Sequence, residues 1–66
     1  MEIVDYAHPC MMAEKALKEL HNAMLEHDYD AAMKAGLAAM VEVRMTMNAI
    51  NDMKERANEL VKTSNH

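Results

Sequence analysis

The second half of the sequence carries one uninterrupted helical register, and this register limits the folds open to the chain. Small and apolar residues recur there at alternating spacings of four and three, the pattern of a helix that packs along another helix. These residues are Ala32, Gly36, Ala39, Val43, Thr46, Ile50, Met53, Ala57 and Leu60. No proline follows Pro9, so we predict a second helix over about residues 30–62.

Residues 41–47, VEVRMTM, carry a competing pattern. Apolar and polar residues alternate there, as they do in a half-buried β-strand. A strand would break the helical register, and the short EIVDY segment is its only β-leaning partner, although a two-stranded ribbon alone is marginally stable in water. We therefore predict helix through this stretch. The alternation then places apolar residues on several sides, which is typical of a helix buried on more than one face.

A shorter helix is predicted in the first half of the chain. Pro9 favours the first position of a helix, and the residue before a proline favours an extended conformation. Residues 1–8 are therefore expected to form a leader, and helix 1 to span about residues 9–27. Its expected contact seam consists of Cys10, Ala13, Leu17, Leu20, Met24 and His27.

Two acidic residues mark the connection between the helices. Asp28 and Asp30 are favourable N-cap residues, and their charge complements the helix dipole, so we place the turn at residues 28–29. The stretch LEHDYDAAMKAG, residues 25–36, resembles the turn between the helices of tetratricopeptide-type hairpins. No repeat of about 34 residues accompanies it, so a repeat protein is not implied.

The unequal helix lengths predict self-association. Helix 1, folded back from the turn, covers one face of helix 2 and reaches only about residue 48. A chain of this size rarely gains more than about 3–5 kcal/mol from its own core. We predict an all-α antiparallel hairpin that assembles with itself, as a homodimer or higher oligomer, into a four-helix or larger bundle. The expected interface residues are Gly36, Met40, Val43, Met47, Ile50, Met53 and Leu60.

Composition argues against several functional classes. The net charge is −4, with 11 acidic and 7 basic residues, whereas nucleic-acid-binding proteins carry a basic patch. No stretch approaches the roughly 18 apolar residues of a membrane span, and the start MEIVDYA does not resemble a signal peptide. Cys10 is the only cysteine, which fits a reducing compartment. We expect a cytoplasmic protein that binds neither nucleic acid nor membrane.

No catalytic or metal-binding constellation is recognisable. The histidines and Cys10 lack the spacings of zinc ligands, and no Glu-x-x-His motif of the di-iron type is present. The single glycine is too few for a phosphate-cradling loop. We therefore expect no catalytic residue, no metal and no cofactor, and we expect Cys10 to act as a small buried apolar residue.

The methionines and a ribbon of polar residues on helix 2 each allow two interpretations. The nine methionines fit either an adaptable surface for apolar partners or a core that lacks Phe. Arg44, Asn48 and Asp52 recur every four residues along helix 2, and Arg44 lies among Val and Met, where it needs a partner. It either pairs with Glu42, Asp52 or a carboxylate of a second chain, or forms with Asn48 and Asp52 a site for a small anionic or nucleotide-like ligand.

Two long stretches carry a family resemblance, HPCMMAEKALKELHNAM and AGLAAMVEVRMTMNAINDMKE. In overall character they resemble the small helical orphan and accessory proteins of bacteriophages and prophages. The resemblance implies a protein that binds a host or viral protein in the host cytoplasm, for example as an inhibitor. The predicted function is therefore a homo-oligomeric helical interaction module. The alternative is a protein that binds or sequesters a small ligand through the polar ribbon.

Overall fold

Two helices make up the described part of the protein. A computed structural model describes residues 6–64, and side chains within residues 6–59. It contains α1 (Ala7–Leu25) and α2 (Tyr29–Ser64), joined by a short turn, with no strand among the described residues. The helices pack side by side as a hairpin with extents of 60 × 17 × 13 Å. The predicted all-α hairpin is confirmed, and VEVRMTM is helical.

The start of α1 differs from the expected one. The helix begins at Ala7 rather than near Pro9, and the Cys10 N–H donates to the Tyr6 carbonyl oxygen at 3.1 Å. Pro9 is tolerated within the first turn because the first four N–H groups of a helix have no intrahelical acceptor. The last two residues of the expected leader are therefore helical, and its residues 1–5 lie outside the described residues.

The end of α1 comes two residues earlier than expected, at Leu25. The Asp28 N–H donates to the Ala23 carbonyl oxygen at 2.8 Å, and the His27 N–H donates to the Met24 carbonyl oxygen at 3.0 Å. These two bonds form a Schellman motif, which closes a helix through a left-handed residue. His27 is that residue, with φ 58°. It therefore belongs to the turn and not to the contact seam of α1.

Asp28 begins α2 as its N-cap. Its Oδ1 accepts a hydrogen bond from the Ala31 N–H at 3.1 Å, and its carbonyl oxygen accepts one from the Ala32 N–H at 3.0 Å. Asp30 then lies in the first helical turn, where its charge complements the dipole. The turn occupies residues 26–28 rather than 28–29. On each side of it, hydrogen bonds pair backbone groups that a helix end leaves without an intrahelical partner.

Replacement of His27 by glycine is expected to stabilise the protein by about 0.5–1 kcal/mol. The left-handed conformation costs a non-glycine residue about 1–2 kcal/mol, and part of this gain is offset by the larger unfolded-state entropy of glycine. The midpoint of chemical denaturation should rise for His27→Gly. It should fall for His27→Val, because a β-branched residue is poorly tolerated at positive φ. A lower midpoint for the glycine variant would contradict this turn geometry.

Small residues form the core between α1 and α2. The buried residues are Pro9, Ala13, Ala16, Ala23, Ala32, Ala35 and Ala39. On α1 the half-buried Leu20 completes the seam between Ala16 and Ala23, and on α2 the seam continues through half-buried Glu42, Thr46 and Ala49. Because alanine presents only a methyl group, helices that meet through alanine approach each other closely.

The contact seam on each helix matches the predicted one only in part. Ala13 and Leu20 of α1 and Ala32, Ala39 and Thr46 of α2 are buried or half-buried as predicted. Leu17 and Met24 were expected in the α1 seam, but they are 52% and 43% exposed. On α2, Ala35 is 8% exposed, whereas Val43, which was expected in the seam, is 45% exposed. Both series repeat at spacings of four and three, so spacing alone does not separate them. The hairpin uses the series with the smaller residues and leaves the larger ones at its sides.

The second helix extends well beyond the first. At ~1.5 Å per residue, the 36 residues of α2 span roughly 54 Å and the 19 residues of α1 roughly 28 Å. Ala49 is half-buried, whereas every residue from 50 to 59 is exposed. We call residues 50–59 the α2 arm. Within residues 6–64, no other segment covers this arm.

Candidate interaction surface

One open side of the hairpin is an apolar groove between α1 and α2. The groove has a volume of about 450 Å³, and it is lined by Leu17, Leu20, Gly36, Ala39, Met40, Val43, Arg44 and Met47. Arg44 is the only charged residue in this lining. We call this surface the apolar groove. A continuous apolar surface of this kind is typical of an interface.

The opposite side of the hairpin is more polar. Two shallow depressions of about 330 and 310 Å³ lie there, and they share Glu19 and Ala38. Charged residues are interspersed along their linings, namely Lys15, Glu19, Lys34 and Glu42. Water can therefore solvate this side at many points, whereas the apolar groove offers it only Arg44.

The large apolar residues lie outside the alanine core. Among the side chains that the structure describes, sixteen of them are exposed, and Leu20 is half-buried. Within residues 6–59, no Leu, Met, Ile, Val or Tyr side chain is buried. Single exposed apolar residues are ordinary on a protein surface, but a contiguous set of them is not. Most of the large apolar side chains of the hairpin are therefore accessible to solvent.

Five of the predicted interface residues of α2 are exposed along the groove and the α2 arm, and we call them, together with Gly36, the apolar stripe. Their exposed fractions are 68% for Met40, 45% for Val43, 63% for Met47, 50% for Ile50 and 43% for Met53. Gly36 is half-buried in the groove, and the side chain of Leu60 lies outside the described residues. The stripe begins in the apolar groove and continues onto the α2 arm.

A seven-residue spacing keeps this stripe on one side of α2. Five of its members and the exposed Met33 form two series, Gly36–Val43–Ile50 and Met33–Met40–Met47. Residues seven apart face nearly the same direction, because seven residues make close to two helical turns. Both series are exposed apart from the half-buried Gly36, and they run beside the seam of Ala32, Ala35, Ala39, Glu42, Thr46 and Ala49 that contacts α1. Along α2, one seam therefore contacts α1 and a second, apolar one is uncovered.

Gly36 forms part of the groove floor. A Cβ atom built on Gly36 would lie 3.3 Å from Cδ1 of Leu20, so the two helices are close together at this point. Glycine inside a helix costs about 1 kcal/mol relative to alanine. Leu20 fills much of the space that a side chain at Gly36 would need, and glycine therefore allows the two helices to approach this closely.

The polar ribbon of α2 reaches the apolar groove only at Arg44. Asn48 and Asp52 are exposed and are not among the residues that line it. Each step of four residues turns about 40° around the helix, so the ribbon leads away from the groove toward the outer surface of α2. No ion pair joins Arg44 to Glu42 or Asp52 in the described part of the chain. The three residues thus share a surface but no common pocket.

Glu42 and Thr46 are the polar members of the contact seam. The Thr46 hydroxyl donates to the Glu42 carbonyl oxygen at 2.9 Å. One carboxylate oxygen of Glu42 is buried without a hydrogen-bond partner among the described residues, which is unfavourable. These residues follow the alanines of α2 toward the end of the hairpin farthest from the turn. We therefore infer that α1 holds α2 most weakly at that end.

Leu17 of α1 lines the groove, although the sequence placed it in the seam between the helices. A signal for its position was present, because the smaller Ala16 precedes it in the chain. Leu20, which was also predicted in the seam, lies in the seam and lines the groove. Cys10 is half-buried, with a free thiol.

No group of three or more His, Cys, Asp or Glu side chains among the described residues could hold a metal ion. Neither helix, as far as it is described, is long and apolar enough to cross a membrane. No protein-family model, curated protein or solved structure matches the chain.

Proposed function

We propose that this chain is a homodimeric helical interaction module, in which two hairpins join through their apolar grooves to form a four-helix bundle. One observation carries the proposal: within residues 6–59, the core of a single hairpin is built from alanine and proline, while sixteen large apolar side chains are exposed. A second copy presents the same stripe and would cover the first, as in other two-fold symmetric bundles.

The uncovered residues offer more burial energy than those already buried. A fully buried Met, Val, Leu or Ile side chain contributes about 1.5–3 kcal/mol, and a single methyl group about 0.8 kcal/mol. Met40, Val43 and Met47 lie at the centre of the groove, and two-fold symmetry would bury each of them twice. Association would therefore supply a large part of the stability that an alanine core cannot.

The size of the surface also suits a dimer. With extents of 60 × 17 × 13 Å, one broad side of the hairpin presents on the order of 1,000 Å². A standard protein interface buries about 800 Å² on each partner. The groove and the α2 arm together are therefore large enough for a stable homodimer.

The proposal extends to a protein partner of host or viral origin, which the dimer would bind and inhibit, as the resemblance to bacteriophage accessory proteins implies. The opposite side of the hairpin remains free in the proposed dimer. It retains exposed apolar residues, with Met12 at 37%, Val41 at 59% and Met45 at 49%. Methionine adapts to varied apolar surfaces, which supports this side as the contact for such a partner.

Sedimentation equilibrium of the full chain tests the proposal. One chain has a mass of 7.5 kDa, so we expect about 15 kDa for the two-fold dimer at micromolar concentration. The melting temperature should rise with protein concentration, because association stabilises the folded state. A species of 7.5 kDa whose melting is independent of concentration would rule out the dimer.

A further inference from the structure

We infer that the two copies run antiparallel, with α2 of one copy along α2 of the other and each α2 arm against the turn end of its partner. This inference rests on the proposed dimer and adds its orientation. Two two-fold arrangements bring groove to groove. In the antiparallel one, the turns lie at opposite ends and α2 faces α2. In the parallel one, the turns lie at the same end and α2 faces α1.

The charge of the turn disfavours the parallel arrangement. Glu26, Asp28 and Asp30 are exposed at the turn, and residues 19–33 contain no Lys or Arg. A parallel dimer would gather six carboxylates at one end of the bundle, where like charges repel at short range. An antiparallel dimer separates the two turns by most of the length of the bundle.

The charge of the acidic turn is more compatible with the α2 arm than with a second acidic turn. It carries Lys54 and Arg56 among the carboxylates of Asp52, Glu55 and Glu59. In the antiparallel arrangement, these two cations lie at the level of the partner's turn. The arm is therefore close to neutral and offers cations to an acidic surface, whereas the turn offers none.

The apolar stripe favours the same orientation, because it continues beyond the end of α1. Ile50 and Met53 on the α2 arm are 50% and 43% exposed. In a parallel dimer, α2 faces an α1 that ends at the same level as its own α1, so both arms stay uncovered. An antiparallel contact between the two copies of α2 extends along the arms and covers both residues.

Side-chain size sets the register of this contact. Val43 lies seven residues from Gly36 and seven from Ile50. With Val43 beside the two-fold axis, Ile50 of one copy faces Gly36 of the other, where the lining of the groove includes a residue without a side chain. The same register places Tyr29 opposite Ala57, again a large residue against a small one. Such alternation of large and small residues lets helices interdigitate.

Distances between spin labels test the orientation. In the full chain carrying Cys10→Ser, one label is attached at Glu26→Cys at the turn, and in a second variant at Asn58→Cys on the arm. With Val43 beside the axis and ~1.5 Å per residue, the distance between copies should be about 50 Å for the first variant and about 45 Å for the second. A 1:1 mixture of the two variants should add a short distance of roughly 25 Å or less, set by helix spacings of about 10 Å and the label arms.

The opposite pattern would overturn the antiparallel orientation while leaving the dimer intact: short distances within each variant and a long one added by the mixture. An absence of dipolar coupling, together with a monomeric mass for the labelled chains, would overturn the proposed dimer as well. Sedimentation of each labelled variant separates these two failures.

Discussion

A chain that carries both Val43→Lys and Met47→Lys is expected to sediment as a monomer at concentrations at which the wild type is dimeric. Both side chains are already exposed in the hairpin, at 45% and 63%, so the substitutions affect association more than the packing of α1 on α2. Each buried side chain contributes about 1.5–3 kcal/mol, and symmetry doubles the loss. Since about 1.4 kcal/mol is tenfold in affinity, the dissociation constant should rise at least ~1,000-fold.

A matched control lies in the same seven residues. Val41→Lys with Met45→Lys changes the same residue types at the same spacing, and these side chains are 59% and 49% exposed. They project away from the apolar groove, so this variant should keep the dimeric mass. If the two double variants dissociate to the same extent, or if neither does, the groove is not the interface.

Replacement of Ala32 by leucine is expected to weaken the hairpin itself. Ala32 is 6% exposed and lies in the seam between the helices, near the turn. The added carbon atoms must force α1 and α2 apart, which costs about 1–3 kcal/mol in a closely packed core. The midpoint of chemical denaturation, followed by helical circular dichroism, should fall accordingly.

An alanine outside the seam provides the control for this variant. Ala38 is exposed on the same helix, and Ala38→Leu should change the free energy of unfolding by less than about 0.5 kcal/mol. Both variants should be measured at one protein concentration, because dimerisation contributes to stability. A gain in stability for Ala32→Leu would show that the alanine seam is not closely packed.

The hairpin could be predicted from the sequence because its determinants are local. Asp28 caps α2 through its own side chain, and helix-forming residues continue from there without a proline. The end of α1 was harder to place, because His27 takes a left-handed conformation that usually belongs to glycine or asparagine. The apolar spacing of α1 continues through His27, so it does not reveal that the helix has already ended.

The contact seam could be predicted only in part, because each helix carries two plausible series side by side that share residues such as Ala13 and Ala39. Spacing alone made Leu17 as good a seam residue as Ala16, and Val43 as good as Glu42. Which of the two series forms the seam depends on how closely the two helices can approach each other. The residue pattern of one helix alone does not specify this distance. Large residues of α2 repeat every seven positions whichever seam α1 occupies, and these residues are exposed in the hairpin. Their role as an interface between copies stays a prediction.

Intermolecular nuclear Overhauser effects test most directly whether α2 has one seam for α1 and another for a second copy. In a 1:1 mixture of isotope-labelled and unlabelled chains, we expect intermolecular contacts from the methyl groups of Met40, Val43 and Met47. The methyl groups of Ala13 and Ala32 should show contacts only within one chain. Intermolecular contacts from these two alanines, or none from the methionine and valine methyl groups, would contradict the two-seam arrangement.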